Sequence, residues 1–337
     1  MKSVTEFGDL GQGNDSAVFQ LALDHAKQYR EGVTLPAEEV TLNEPLTYIT
    51  DSTDTFHPGL ALIGEGADKT ILNVTHSQPM LTLGTTAANK FHRHGVLEGF
   101  TVKGGGTAAK LSSAFHYELH DLQLDDQLEY GLWLPTILGD PDASNNISLE
   151  HVRIDNAAKW GIFGQVATGV NELSFLSLRH VFLQNCGTAV GEVGGGMYWR
   201  GQMLSMEQVA FVLCKNRGLY IEGGAGLGSD VYGSNVTFEN NTGKHIQCYG
   251  VQGMVFDNLQ MYSNDTYKTQ YGMWVNAGSS VAANILVRSG KVRATAGNNP
   301  HIAFCGTGAN LSNAKAQNIS WDNYGYAGQT KLVGFTA

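Results

Sequence analysis

Charged residues are scarce in this chain, and their scarcity excludes several kinds of protein. Asp, Glu, Lys and Arg make up 15% of the 337 residues, the formal net charge is −10, and no run of Lys or Arg occurs. Without a basic run the chain lacks the electrostatic surface that nucleic-acid-binding proteins need, so we predict no nucleic-acid partner. The low lysine content also favours a neutral or weakly charged ligand.

Two further features are missing. The four cysteines, Cys186, Cys214, Cys248 and Cys305, show no C-x-x-C spacing, so we predict no zinc site. Buried thiols are expected, and one disulfide between Cys186 and Cys214 is the alternative. No stretch of 18 apolar residues and no signal peptide is recognised, so we predict no membrane partner.

A repeated phrase is what the chain does contain: a short alternating strand, an Asn-bearing turn and a second strand. It occurs as LQLDDQLEYGLWL, VRIDNAAKWGIF, VFLQNCGTAVGE, VAFVLCKNRGLYIE, VTFENNTGKHIQ and LQMYSNDTYKTQYGMWV. Steps of 30, 29, 28, 27 and 23 residues separate the equivalent apolar residues Leu124, Ile154, Leu183, Phe211, Phe238 and Met261. This period and the strand-type alternation indicate a solenoid, and the turn asparagines favour a parallel β-helix.

The N-terminal segment predicts an amphipathic helix that covers the first coil. Asp15 and Ser16 can cap it, and the segments GVTLPAEEVTLNEPLTYI and GLALIGEGADKTIL follow it. With the helix first and these two segments after it, residues 4–73 resemble the N-terminal module of the pectate-lyase-like superfamily. The members of that superfamily are single-stranded right-handed parallel β-helix proteins. That superfamily contains polysaccharide lyases, glycoside hydrolases and phage tailspike-like depolymerases. The rest of the chain is similar to it in repeat type only.

We therefore predict an all-β chain, a right-handed parallel β-helix solenoid with an N-terminal amphipathic capping helix. The right-handed sense follows from the usual crossover preference and from the resemblance. One domain is predicted over 1–337, with the cap and first strands at 1–58, the coils at 59–322 and a C-terminal cap at 323–337.

Strict alternation along each strand predicts which side chains point outward. The outward set of the first strands contains Arg153, Asp125, Asp155 and Glu239, and Asp126 follows in the turn. The outward set of the second strands contains Trp133, Phe163, Glu192, Tyr220, Glu222, His245 and Trp274. Aromatic side chains in register can stack on sugar rings, unless a loop or another subunit covers them. Residues 193–203 are predicted to form a loop between coils, and this loop adds the substrate-binding candidates Tyr198, Trp199 and Arg200.

Carboxylates on neighbouring coils predict acid–base chemistry. Glycoside hydrolysis needs one protonated and one ionised carboxyl group about 5 to 9.5 Å apart, and neighbouring coils lie about 4.8 Å apart. The candidate catalytic residues form two sets, Asp125, Asp126 and Asp155 in one and Glu192, Glu222 and Glu239 in the other. A solvated acidic face is the alternative for any one of them.

Together these features predict an enzyme that cleaves or rearranges glycosidic bonds of a polysaccharide, without a cofactor and as a monomer or homotrimer. One alternative is a lyase that acts by β-elimination on a uronate polymer, for which a Ca²⁺ ion is possible. Its base would be His245, Tyr220, Tyr198 or Lys268, with Arg153 or Arg200 as the neutralising cation. The other alternative is a tailspike-like depolymerase or adhesin. A secreted or extracellular location follows from the substrate class alone.

Overall fold

The computed structural model confirms the parallel β-helix and its N-terminal capping helix. The chain divides into two compact units, 1–176 and 177–337. None of the helices in the described parts of the chain has the length and apolarity that a membrane span requires. The structure describes residues 1–13, 15–50, 56–85, 91–135, 145–165, 173–189, 194–223, 229–264, 269–276, 282–294, 302–307, 311–322 and 330–336.

The capping helix, Asp15–Tyr29, packs on the first strands of unit 1. Its buried face consists of Val18, Phe19, Ala22, Leu23 and Ala26. Ser16 also lies on this side, where its Oγ accepts hydrogen bonds from the backbone N–H groups of Asn43 and Glu44 at 2.9 and 3.0 Å. A 3₁₀ helix, Val4–Glu6, precedes it.

Unit 1 contains three parallel sheets, one on each side of the coil. Sheet 1 contains Lys2–Ser3, Val33–Thr34, Phe56–Pro58, Ala61–Ile63, Phe91–Arg93, Val96–Glu98, Ala114–His120 and Asn145–Glu150. Sheet 2 contains Glu39–Leu42, Ile71–Val74, Thr101–Gly104, Gln123–Asp125 and Arg153–Asp155. Sheet 3 contains Leu46–Thr50, Pro79–Thr85, Thr107–Leu111, Tyr130–Pro135 and Trp160–Gln165. The strand Leu173–Arg179 includes the boundary between the units.

Unit 2 repeats this arrangement. Its sheet 1 contains Gly201–Glu207, Asp230–Ser234, Gly253–Asp257, Ala282–Val287 and Leu311–Ala316. Its sheet 2 contains Phe182–Gln184, Ala210–Val212, Thr237–Glu239, Leu259–Ser263, Gly290–Ala294 and Ile319–Asp322. Its sheet 3 contains Gly195–Trp199, Arg217–Glu222, Gly243–Tyr249, Thr269–Asn276, Ile302–Thr307 and Thr330–Val333.

The core of each unit is a stack of apolar side chains at equivalent repeat positions. In unit 1, Leu124 is the register neighbour of Ile154. In unit 2 the register connects Leu183, Phe211, Phe238 and Met261 in that order. All six are buried, which confirms the equivalence predicted from the repeat. The four cysteines are buried and no disulfide joins Cys186 to Cys214, so the alternative of a disulfide between them is wrong.

Single residues with left-handed backbone conformation make the corners on both sides of sheet 2. Asp121 and Asn235 precede it with φ of 50° and 54°, and Asp126 and Asn156 follow it with φ of 61° and 60°. Asn and Asp tolerate this conformation better than most residues, which explains the asparagine at these turns. One corner in unit 1 is also linked through side chains, since Asn156 Nδ2 donates to Asp126 Oδ1 over 2.9 Å.

Candidate functional site

Asp125 and Asp155, two predicted catalytic residues, are register neighbours on sheet 2 of unit 1. Gln123 Nε2 donates to Asp125 Oδ2 over 2.7 Å, and Arg153 Nε donates to Asp155 Oδ2. The remaining oxygen of each carboxyl group, Oδ1, is buried and has no hydrogen-bond partner. We call Asp125 and Asp155 the carboxylate pair.

The two members of the carboxylate pair have different electrostatic surroundings. Burial raises the pKa of Asp125, against the hydrogen bond from Gln123, and the negative charges of Asp155 and Asp126 raise it further. Asp155 is in an ion pair with Arg153. A difference of this kind lets one carboxyl group act as an acid while its neighbour acts as a base or nucleophile.

Asp126, the third predicted member of this cluster, is an exposed corner residue that accepts the hydrogen bond from Asn156. On the other side of Asp125 the register neighbour is Lys103, which is also exposed. The carboxylate pair is therefore the buried part of a polar surface on sheet 2.

Aromatic side chains form a second surface, on sheet 3 of unit 2. One outward column contains Tyr198, Tyr220, Gln247 and Trp274 as successive register neighbours. Tyr249 stands beside this column, with its ring centroid 5.9 Å from that of Tyr220 and 5.5 Å from that of Trp274. The aromatic members are half-buried, so each keeps part of its ring exposed.

Two cationic side chains, Arg217 and Lys244, lie on the same surface as register neighbours. The Arg217 guanidinium carbon is 4.8 Å from the ring centroid of Tyr220, and Lys244 Nζ is 4.7 Å from that of Trp274. Burial lowers the pKa of both residues. We call Arg217 and Lys244 the cation pair.

Glu222, a predicted catalytic residue, lies on this aromatic surface. Tyr198 Oη donates to Glu222 Oε2 over 2.6 Å. Burial raises the pKa of Tyr198, and this hydrogen bond raises it further, while the charge of Arg200 acts in the opposite direction. Burial also raises the pKa of Tyr220, to about 12. The surface thus combines one carboxylate, three tyrosines, one tryptophan and the cation pair.

The outward position predicted for His245 is wrong. His245 is fully buried, with Nε2 2.9 Å from Ser263 Oγ and Nδ1 3.2 Å from Asn241 Nδ2. Strict alternation fails because several sheet 3 strands, including those that contain Gly131, Gly218 and His245, have two consecutive inward residues near their start. The first inward residue in the strands Tyr130–Pro135 and Arg217–Glu222 is a glycine, and a Cβ there would meet core side chains. His245 fills that space in its own coil, so it cannot bind substrate.

Trp199 is a second correction among the substrate-binding candidates. The segment that contains it forms a strand, in which Tyr198 points outward and Trp199 inward as the register neighbour of Ile221. Trp199 is 1% exposed, so it belongs to the core. Its neighbour Arg200 remains half-exposed at the strand end.

The other predicted residues lie elsewhere. Trp133 and Phe163 are register neighbours on sheet 3 of unit 1, where Lys110 Nζ is 4.4 Å from the Trp133 ring centroid. Glu239 lies on sheet 2 of unit 2, at a depression of about 280 Å³ that Tyr262 and Arg293 also line. Glu192 and Lys268 lie outside the described residues.

Sequence reasoning missed the cation pair, Arg217 and Lys244. A local signal exists for the cations, since Arg217 and Lys244 each stand three residues before an outward residue of the aromatic column. The two inward residues at the strand start explain that spacing, which strict alternation does not produce.

No protein-family profile and no curated protein matches this chain. Solved structures match its fold. The Agl-KA catalytic domain is similar with a TM-score of 0.67 and 15% identity over 94% of this chain and 57% of that one. The catalytic domain of a GH87 α-1,3-glucanase in complex with tetrasaccharides has a TM-score of 0.54 and 14% identity over 94% of this chain and 67% of that one.

The A-module of the Azotobacter vinelandii mannuronan C-5 epimerase AlgE6 has a TM-score of 0.53 and 12% identity over 100% of this chain and 99% of that one. Identities this low show the fold alone, and the chain spans little more than half of the Agl-KA catalytic domain. These likenesses confirm the parallel β-helix fold that the resemblance implied.

Proposed function

We propose that this chain is an enzyme that cleaves glycosidic bonds of a polysaccharide by acid–base catalysis at the carboxylate pair. The observation that carries the proposal is the placement of Asp125 and Asp155 on adjacent strands in register, with different partners. Adjacent strands lie about 4.8 Å apart, close to the carboxyl separation of about 5 to 5.5 Å in glycosidases that retain anomeric configuration.

The roles of the two residues follow from their surroundings. Asp125, whose pKa is raised by burial, donates a proton to the glycosidic oxygen as the bond to the anomeric carbon breaks. The Asp155 carboxylate attacks that carbon and forms a glycosyl ester, while Arg153 balances its charge before the attack. Water then hydrolyses the ester as the Asp125 carboxylate accepts its proton, which restores both groups.

The comparisons support the substrate class of this proposal. Two proteins that share the fold are named for polysaccharides, an α-1,3-glucanase and a mannuronan epimerase. The parallel β-helix fold also favours a polymeric substrate. Its strands in register place side chains at a regular spacing along one face, which matches a polymer with a repeating unit.

The test is a polysaccharide panel assayed for new reducing ends. Asp125→Asn should lower the rate about 10³-fold, the size of a general acid–base contribution, and Asp155→Asn, which removes the nucleophile, should lower it at least as much. Asp121→Asn is the matched control, because Asp121 is an exposed corner residue of the same unit and its variant should keep full activity.

Full activity of both pair variants would overturn the proposal. Products that absorb as unsaturated uronates, without the expected hydrolysis, would instead indicate β-elimination. Binding without any product would indicate an adhesin.

A further inference from the structure

The cation pair is electrostatically unfavourable as it stands in unit 2. Arg217 and Lys244 lie side by side on adjacent strands, both partly withdrawn from water. Burial lowers the pKa of Lys244, and the positive charge of Arg217 lowers it further. Like charges at this separation repel, and the repulsion grows as water is excluded.

No carboxylate in the described parts of the chain forms an ion pair with either residue of the cation pair. Glu222, the carboxylate of this surface, accepts the hydrogen bond from Tyr198 instead. Arg217 Nε donates to the neutral Gln247 Oε1 over 2.5 Å, and Arg217 Nη1 is buried without a hydrogen-bond partner. Two half-buried positive charges and an unused buried donor therefore meet at one place.

The aromatic residues limit what can bind there. Tyr220 and Trp274 hold the two cations over their rings, and Tyr249 fills the gap between them. Because these aromatic side chains are only half-buried, their exposed parts suit the apolar side of a sugar ring, whereas a small inorganic anion would leave them uncovered. A ligand that carries both an anionic group and sugar rings satisfies the whole surface.

We propose that sheet 3 of unit 2 binds an anionic glycan, with its carboxylate or sulfate groups between Arg217 and Lys244 and a sugar ring against Trp274. Charge-assisted hydrogen bonds from guanidinium and ammonium groups are the strong ones for such anions. The net charge of −10 repels polyanions in general, so their binding requires a local site of this kind. This replaces the expectation of a neutral glycan, and it does not depend on catalysis by the carboxylate pair.

The experiment measures affinity for four purified polymers: polygalacturonate, alginate, a sulfated galactan and neutral dextran. Asp125→Asn serves as the background, so that cleavage cannot disturb the binding measurement. Arg217→Gln and Lys244→Gln should each weaken binding of the acidic polymers about tenfold. Arg217→Lys keeps the charge and should retain most of the affinity. The comparison between polygalacturonate and the sulfated galactan decides whether carboxylate or sulfate is preferred.

Lys291→Gln is the matched control, since Lys291 is exposed on sheet 2 of unit 2 and has its own partner, Asp322 Oδ2, at 2.6 Å. It should leave affinity unchanged. Three results would overturn the inference: unchanged affinity in both pair variants, an equal loss in the Lys291 variant, or dextran binding as tight as that of the acidic polymers. Thermal unfolding of every variant shows whether a loss reflects misfolding, and Arg217→Lys then still separates charge from fold.

Discussion

The carboxylate pair of unit 1 and the cation pair of unit 2 have the same geometry and opposite charge. Each places two like-charged side chains on adjacent strands in register, Asp125 beside Asp155 and Arg217 beside Lys244. The carboxylate pair has a counter-charge from its own strand, because Arg153 contacts Asp155. Among the described residues no carboxylate forms an ion pair with the cation pair. Its two members instead contact aromatic rings, and Arg217 donates a hydrogen bond to Gln247.

If the two proposals hold, this difference shows how a regular scaffold separates catalysis from ligand binding. A carboxylate pair with an internal cation can lose and regain a proton while a substrate bond is broken. A cation pair without an internal anion gains most when an anion arrives from outside, since a desolvated charge is stabilised by a close opposite charge. The same strand register produces both pairs, and the residues around each pair determine what it can do.

Charge reversal at Arg217 should have the largest effect on this comparison. Arg217→Glu would give Lys244 an internal partner on the adjacent strand and repel the incoming anion. We expect affinity for polygalacturonate to fall about 100-fold, since misplaced like charges cost several kcal/mol, without a lower unfolding temperature. Calorimetry and thermal unfolding measure both quantities.

Lys315→Glu is the control for the change in net charge, because Lys315 is exposed on sheet 1 of unit 2. A similar loss in that variant would mean that overall charge, and not the cation pair, determines binding.

Removing the buried side chain of His245, the residue after Lys244, should have the next largest effect, here on stability. His245, which follows Lys244, fills the core position that other coils give to glycine, as at Gly131 and Gly218. His245→Gly should lower the free energy of unfolding by about 2 to 3 kcal/mol, through the cavity and the lost hydrogen bonds to Asn241 and Ser263. Urea unfolding at pH 7 measures it. His151→Gly, at an exposed corner with φ of 54°, should change stability little.

The same variant has a pH signature. Burial lowers the pKa of His245 to about 3, whereas an unfolded histidine titrates near pH 6.5. Between these values the unfolded state binds more protons, so stability falls as pH falls from about 6.5 towards 3, by about 1.4 kcal/mol per pH unit. His245→Gly should lack this contribution. An acid dependence identical to that of the wild type would contradict this, because it would show that the pKa of His245 is the same in the folded and unfolded states.

Removing the internal cation of the carboxylate pair should have a smaller effect. The charge of Arg153 lowers the pKa of Asp125 against the effect of burial, so Arg153→Gln should raise that pKa. Because the proposed role of Asp125 as an acid requires its protonated form, activity should persist to a higher pH. The basic limb of the profile of kcat/KM against pH measures this. An unmoved limb would contradict the role of Asp125, and the exposed Arg179→Gln should leave the limb in place.

The repeat predicted the fold because its period is set by residues that all face the same core. Leu124 and Ile154 had to be neighbours once the period was recognised, and the neighbours Asp125 and Asp155 then followed from alternation alone. Outward columns in the middle of strands were predictable for the same reason. Glu222 and Trp274 both lie on the predicted side of their strands.

Other features depend on interactions that a period does not contain. His245 and Trp199 were misplaced. His245 and Ile246 are two consecutive inward residues near the start of their strand, and Trp199 lies in a strand where a loop was expected. The partners of the pairs were also not predictable, since the contact of Arg153 with Asp155 and that of Tyr198 with Glu222 depend on side-chain conformation. The difference between the two pairs was therefore visible only in the structure.

The smallest expected effect concerns whether Glu222 acts as a weak internal counter-charge for the cation pair. Both Glu222 and Arg217 influence the Tyr220 hydroxyl, so the two charges act at one ring, and the hydrogen bond from Tyr198 offsets part of the Glu222 charge. Tyr198→Phe should strengthen the competition of Glu222 with a bound anion and weaken polygalacturonate binding about two- to threefold. Glu222→Gln should change affinity by a similar factor in the opposite direction. If both variants weaken binding, Glu222 contacts the glycan itself and is not a counter-charge of the cation pair. The carboxylate pair would then have an internal counter-charge, in Arg153, and the cation pair would have none among the described residues.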